Sequence, residues 1–447
     1  MLDYNGYSRT LTPMGLAWCA VLWLASLVEQ AQRLAWQKQF AAAEKLYRQA
    51  LHSDPNSRDA RFGLAQVLLW EGRYREARQM FLSIAGADAA EGAATAAYWQ
   101  GDFRTAEREF AALPNRDFAR RSLEEIRSAS RGDVRMALEG VDDNQPYRAW
   151  RSSVTASAFS DPLTRWDVTA GGYGMHNIHR GETRTEPFAM ISNAYVLPWQ
   201  KLTITSSLGA LRFPDGSTRP VGGLTLARKA GASTFQISAD HRELLTNASA
   251  IDTHASVTQL TAGWSRYKPH GWLAGVEAGH NRYFDGNSGT FAQGYFLWPV
   301  AANFYAGASA AIRNTRDTTF VVDAVSSTRT GNFFTYSYRG TYRGYWTPVD
   351  FREARAIVAF EKSGLKLQAE GGVGRDRARA FGPSSGLSPL PSNIFVFDFQ
   401  RTFHPWRASA SWSAPLASSY RLQIEVERSV TVFYAANAVR ATLVRHR

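Results

Sequence analysis

From Trp150 to the C-terminus, apolar and polar positions alternate with period two. In Arg421-Leu422-Gln423-Ile424-Glu425-Val426-Glu427 the Leu, Ile and Val side chains share one face of an extended strand, and Arg, Gln and Glu share the other. Leu202, Ile204 and Leu208 alternate in the same way with Thr203, Thr205 and Ser207, and Ala408, Ala410 and Trp412 with Arg407, Ser409 and Ser411. Phe235, Ile237 and Ala239, and Leu365, Leu367 and Ala369, mark two further runs. Such runs recur about every 18 to 20 residues, separated by turn clusters such as Asp161-Pro162, Pro214-Asp215-Gly216 and Asp285-Gly286-Asn287, and predict about 14 to 16 antiparallel strands over residues 149–447.

The front of the chain follows a helical period. Gln39 to Tyr47 overlays Arg73 to Phe81 at an offset of 34, and Gly72 to Phe81 overlays Gly101 to Phe110 at an offset of 29. Each copy places an aromatic, an Ala and a second aromatic on one helix face: Phe40, Ala43 and Tyr47; Tyr74, Ala77 and Phe81; Phe103, Ala106 and Phe110. The period, the small residues at the helix crossing and Pro55 after the second helix resemble the tetratricopeptide repeat. That resemblance implies a short α-solenoid over residues 31–141, in which small residues let helices approach and the aromatics fill the neighbour's groove. Residues 142–148, Asp-Asp-Asn-Gln-Pro-Tyr-Arg, read as a turn-rich linker.

The chain has 447 residues, so two domains are the expected outcome, and its single Cys excludes a disulfide framework or a cysteine-based zinc site. Lys+Arg of 51 against Asp+Glu of 39 gives a net charge of +12. Residues 1–148 carry 19 basic and 19 acidic side chains, and residues 149–447 carry 32 and 20, so the whole excess falls on the strand-rich part. Residues 1–30 contain an apolar stretch from Met14 to Val28, the length of a signal-peptide core and shorter than a membrane-spanning helix. Removal of that segment would take Cys19 with it.

Alternating strands suit either a soluble sandwich or propeller, or a transmembrane barrel whose apolar face meets lipid. The barrel is favoured by aromatics at the ends of runs, as interfacial girdles require: Trp199, Tyr267, Trp272, Trp298, Trp346, Trp406 and Tyr420. Long Gly-, Ser- and Thr-rich connections, Thr315 to Gly331 and Ala380 to Asn393, suit outward-facing loops. The predicted fold class is therefore α + β and multidomain, with a short tetratricopeptide-type α-solenoid followed by an antiparallel transmembrane β-barrel. Its expected place is the outer membrane of a Gram-negative-type bacterium, in contact with outer-membrane lipid and with the repeats in the periplasm.

Gly344-Tyr345-Trp346-Thr347-Pro348-Val349-Asp350-Phe351, followed by strand patterns at 354–362 and 365–375, is similar to a Gly-Tyr-aromatic-Ser-Pro segment in the outer-membrane exporters of bacterial exopolysaccharides. With the repeat-then-barrel layout, the chain resembles the barrel of the bacterial cellulose exporter and the YaiO-type outer-membrane barrels. The resemblance implies a non-enzymatic porin-like channel that exports a cellulose-like or other polysaccharide for biofilm formation. Its helical repeats would dock periplasmic or inner-membrane synthase components. A sugar-lined lumen needs aromatic faces and hydrogen-bonding groups, for which Tyr345, Trp346, Asp350, Arg355, Glu370, Arg375, Arg421 and Glu425 are the candidates. Structural ion pairing between strands is the other reading of these Arg and Glu residues. A positive strand domain favours a neutral or anionic polymer. A non-transporting barrel with a receptor or structural role is the alternative, and an outer-membrane enzyme a third.

Chemistry of other kinds is poorly served. Asp252, His254 and Ser256, taken as one strand face, lie about 7 Å apart in succession, too far for a hydrogen-bonded relay. His176 and His179 fall on opposite strand faces, which does not suit a metal. Gly371-Gly372-Val373-Gly374 sits in a strand pattern and precedes no helix, so it is not a nucleotide loop. No catalytic, metal or cofactor site is predicted, and basic residues interleaved with Gln, Ser and Glu argue against nucleic acid.

Overall fold

A computed structural model describes residues 27–144, 147–178, 181–246, 248–330, 333–342, 344–381, 396–432 and 435–446. Two compact units part between Ser130 and Arg131. The first is helical: α1 (residues 27–36), α2 (Phe40–Ser53), α3 (Arg58–Trp70), α4 (Tyr74–Leu82), α5 (Ala87–Gln100), α6 (Phe103–Ala111) and α7 (Asp117–Ala129).

The repeated aromatic–Ala–aromatic pattern falls on α2, α4 and α6, and it supplies the core. Ala43, Ala77 and Ala106 are fully buried, and Tyr47, Phe81 and Phe110 nearly so. Each ring needs a gap in the neighbouring helix. A Cβ at Gly63 of α3 would lie 2.3 Å from Tyr47 Cζ, and one at Gly92 of α5 would lie 2.6 Å from Phe81 Cε1. Ion pairs tie successive repeats together: Glu44 accepts from Arg73 at 2.9 Å, and Arg78 grips Glu109 with two bonds of 2.7 and 2.6 Å. Leu27, Ala31 and Ala35 of α1 pack into the same core, so residues 27–30, assigned to the signal-like segment, are helical. The rest of that segment, with Cys19, lies outside the described residues.

The second unit begins with β1 (Asp133–Asp143), β2 (Tyr147–Asp161), β3 (Thr164–Asn177), β4 (Glu182–Leu197), β5 (Leu202–Arg212), β6 (Thr218–Ala230) and β7 (Ser233–Glu243). After the short helix α8 (Ala248–Asp252) come β8 (Ser256–Arg266), β9 (Leu273–Tyr283), β10 (Ser288–Ala301), β11 (Phe304–Thr315), β12 (Phe320–Thr330) and β13 (Phe333–Tyr342). β14 (Phe351–Lys362), β15 (Leu365–Phe381), β16 (Val396–Phe403), β17 (Trp406–Ala417), β18 (Tyr420–Val430) and β19 (Ala435–His446) complete it. All nineteen strands among the described residues belong to one sheet.

Sixteen of the strands form a closed antiparallel ring. β11 pairs with β14, β15 with β17, and β19 with both β18 and β1, which shuts the ring. β12 and β13 make a hairpin inside the β11–β14 connection, and β16 pairs with the far end of β15. Closure removes both sheet edges. One rim carries turns of two residues, as at 231–232, 302–303 and 363–364, with Gly231, Asn303, Ser363 and Gly364 at positive φ. The other rim carries the long connections 244–255, 316–350 and 382–405.

Alternation sorts the residues as the sequence predicts. Leu208, Leu224, Ile237, Leu260, Val276, Val358, Val373 and Val426 are exposed on the outside of the ring, with Leu208 at 65% and Val373 at 61%. An apolar belt running round every wall suits lipid and not water. Tyr267, Trp298, Trp406 and Tyr420 stand exposed at strand ends, as girdle positions require. Among the described residues no helix is long and apolar enough to cross a membrane.

Three expectations are corrected. Residues 133–141, assigned to the repeats, are β1, and 142–148, assigned to a linker, span the β1–β2 turn, so the barrel starts at Arg131 and not at 149. Met136-Ala137-Leu138-Glu139 is built of helix formers, but pairing with β2 and β19 overrides that preference. The supposed loop Thr315 to Gly331 contains β12. Trp346 belongs to no girdle: it lies in the β11–β14 connection, edge-on to Phe351 at 4.9 Å. Most of the other long loop, 380–393, lies outside the described residues.

Candidate functional site: the lumen of the barrel

The inward faces of the strands divide into two walls. On β5, β6, β7 and β8 one register row reads Thr205, Thr225, Ser238 and Thr261, and the row beside it carries Thr203 and Gln236. These side chains offer hydroxyl and amide groups that both donate and accept, with no formal charge. Tyr295 of β10 continues this wall, lying over Gly275 with 42% of the residue exposed.

The wall from β14 round to β2 is ionic. Ser411, Glu425, Arg440, Glu139 and Arg151 form one row across β17, β18, β19, β1 and β2, with charge alternating from Glu425 onward. Arg440 donates to Glu139 at 3.0 Å and lies 3.5 Å from Glu425. Arg355 donates to Glu353 at 2.9 Å and to Glu370 at 3.1 Å, and Arg407 reaches Glu427 at 2.6 Å and Glu370 at 3.7 Å. A third group joins Asp133, Arg135, Arg165 and Asp167 through four contacts of 2.8 to 3.2 Å. Cross-strand pairs of opposite sign stabilise the sheet and neutralise one another.

The eight candidate residues meet different fates. Arg355, Glu370, Arg421 and Glu425 share the inward parity of their strands, opposite to exposed Val358, Leu367 and Val426. Arg355, Glu370 and Glu425 are held in the ion pairs above. Arg421 is exposed near the short-turn rim and has no ion pair among the described residues. Arg375 shares the parity of Val373 and so faces outward, not into the lumen. Asp350 goes with it, accepting from Arg375 at 2.6 Å and from Arg352 at 2.8 Å. Tyr345 is 3% exposed, stacked on Tyr283 at 4.0 Å, and its hydroxyl donates to Asp285. Burial pushes its phenol up. Its faces are therefore occupied by protein, whereas Trp346 is half-buried, at right angles to Phe351 and with the Arg313 guanidinium 5.9 Å from its ring. Sequence reasoning missed Glu139, Arg407, Glu427 and Arg440; the alternation Met136, Leu138 against Arg135, Glu139 was the available signal.

The mouth at the long-loop rim is narrowed from within. The 244–255 connection packs Ile251 and Leu245 against Met175, Tyr173, Leu211 and Phe213 of the wall. Tyr173 donates to the Leu245 carbonyl at 2.7 Å, Arg184 to Asp252 at 3.0 Å, and Thr246 to the Gly344 carbonyl at 2.9 Å. Asp252, His254 and Ser256 do not share a strand: Asp252 ends α8, His254 has a φ of 50°, and Ser256 opens β8. His254 Nε2 faces both Asp215 (3.1 Å) and Ser217 (3.3 Å), so one nitrogen meets both groups and no relay is possible. Hydrogen bonds from Ser217 hold the Asp215 carboxyl low. His176 bonds Thr183 at 2.9 Å, and His179 lies outside the described residues. Gly371 to Gly374 lie within β15. Among the described residues no three His, Cys, Asp or Glu side chains could hold a metal.

Comparison with known proteins finds the tetratricopeptide repeat family over residues 34–97. No curated protein matches the chain. Among solved structures, a bacterial polysaccharide outer membrane secretin is similar at 7% identity and a TM-score of 0.48, over 71% of this chain and 99% of that one. The outer membrane protein OpdK from Pseudomonas aeruginosa aligns at 8% identity and a TM-score of 0.36, over 70% of this chain and 98% of that one. The second tetratricopeptide domain of human RPAP3, solved with an HSP70 peptide, aligns at 17% identity and a TM-score of 0.23, over 24% of this chain and 98% of that one. The chain thus joins tetratricopeptide repeats to a closed sixteen-strand barrel of the outer-membrane type.

Proposed function

We propose that the protein is an outer-membrane channel that passes a neutral or anionic exopolysaccharide, of cellulose-like chemistry, out of the cell. The observation that carries this reading is the uncharged row Thr205, Thr225, Ser238 and Thr261, which faces the same lumen as internally neutralised ion pairs. A sliding sugar chain exchanges hydroxyl hydrogen bonds with such a wall at little net cost, because each bond broken is replaced by an equivalent one. Tyr295 adds an exposed ring on which a pyranose face can stack. Paired charges hold their positions without binding a neutral polymer tightly. The repeats, in the periplasm, dock synthase or polymer-modifying proteins.

Efflux from proteoliposomes tests this. Entrapped neutral gluco-oligosaccharides should leave faster than from vesicles without the protein, and equal retention in both would sink the proposal. The inward-packed 244–255 segment favours a second reading, a closed barrel with a receptor or structural role. In that case the oligosaccharides stay inside.

A further inference from the structure

Arg352 and Arg375 stand directly opposite each other across β14 and β15, both on the outward face. Like charges in register destabilise a strand pair unless an anion joins them. The row they occupy runs Ala278, Ala292, Ile312, Arg352, Arg375, so an apolar band ends at two guanidinium groups. The next row toward the long-loop rim, His280, Thr290, Asn314, is polar. This pair therefore lies where the hydrocarbon face gives way to headgroups.

Asp350 bonds one carboxylate oxygen to each arginine, which leaves one positive charge in excess. The Arg352 side chain is 66% exposed and that of Arg375 42%, so both guanidinium groups can be reached from outside. The cross-strand neighbours Ile312 and Thr402 bring no acid. Guanidinium forks match phosphate oxygens in shape and charge. We propose that Arg352 and Arg375 bind the phosphate of an outer-leaflet glycolipid headgroup. The site rests on the outer-membrane reading of the barrel, since only there does this rim meet such a lipid.

Heat-modifiability of the full chain in detergent micelles tests it, with the unfolding midpoint read by gel mobility. Four conditions are compared: no addition, bis-phosphorylated lipid A, the same lipid dephosphorylated, and inorganic phosphate. The phosphorylated lipid should raise the midpoint more than its dephosphorylated form, and free phosphate should add little. Arg352→Gln/Arg375→Gln should lose at least half of that difference, Arg428→Gln on β18 should keep it, and Asp350→Asn, which frees guanidinium donors, should keep or enlarge it. Equal effects of the two lipids, a matching rise with inorganic phosphate, or an undiminished difference in the double variant would overturn the site while leaving the barrel intact. A native chain with no heat-modifiable form at all would overturn the barrel reading, and the site with it.

Discussion

Single side chains decide how closely the helices approach. Gly63→Ala places a methyl group inside the Tyr47 ring, so it should destabilise the helical unit by about 1–3 kcal/mol, and Gly92→Ala should act similarly through Phe81. Denaturant titration followed by helical circular dichroism measures both. Arg78→Ala strands Glu109 and the Ala93 carbonyl and should cost about 1–3 kcal/mol in the same assay. Acid acts through other pairs. Arg73 holds the Glu76 carboxyl low; for Glu44 burial acts upward, but bonds from Arg48 and Arg73 prevail and lower it too. Carboxyls depressed in the fold contribute stability above the ordinary glutamate range and lose it as pH falls through and below that range. Because the pairs are partly exposed, the loss should be only about 1 kcal/mol or less, and smaller still in high salt. The aromatic–Ala–aromatic triplets were legible in the repeat offset, whereas Gly63 and Gly92 acquire meaning only from the rings they meet, although their own spacing is also 29.

At the scale of elements, the 244–255 segment is the part of the lumen most open to manipulation. Ile251 is 1% exposed and anchors it to β3 and β5. Ile251→Asp buries a charge in that apolar cluster and should release the segment, raising single-channel conductance while heat-modifiability persists. An unchanged conductance would mean that this segment is not the constriction. Strands with β-branched or aromatic residues are readable from alternation alone; in β1 the alternation of Met136 and Leu138 against Arg135 and Glu139 is masked by the helical preference of Met, Ala, Leu and Glu, and its partner β19 is about 300 residues away. The Gly344 to Asp350 segment is legible as a motif, but the contacts of its aromatics are not. Its Tyr345 is buried against Tyr283 and Asp285, and its Trp346 packs at right angles to Phe351.

For the whole molecule, the net charge of +12 takes on a structural meaning. Residues 1–130 carry +1 and residues 131–447 carry +11, yet the inward rows around Arg355, Arg407 and Arg440 are matched by Glu353, Glu370, Glu427, Glu425 and Glu139. Several arginines without an ion pair among the described residues lie on the outward face, where Arg212 and Arg282 share the parity of Leu208 and Val276. Alternation alone could assign those faces; it could not show which lumen charges pair, since that depends on register. Export of this kind requires a water-filled lumen that accepts an uncharged sugar chain. Planar-bilayer recording of the purified chain tests it most directly. A steady ohmic current, reduced in proportion to added neutral gluco-oligosaccharide, is the predicted result. A heat-modifiable barrel that carries no current, or one whose current the oligosaccharide leaves unchanged, would contradict it.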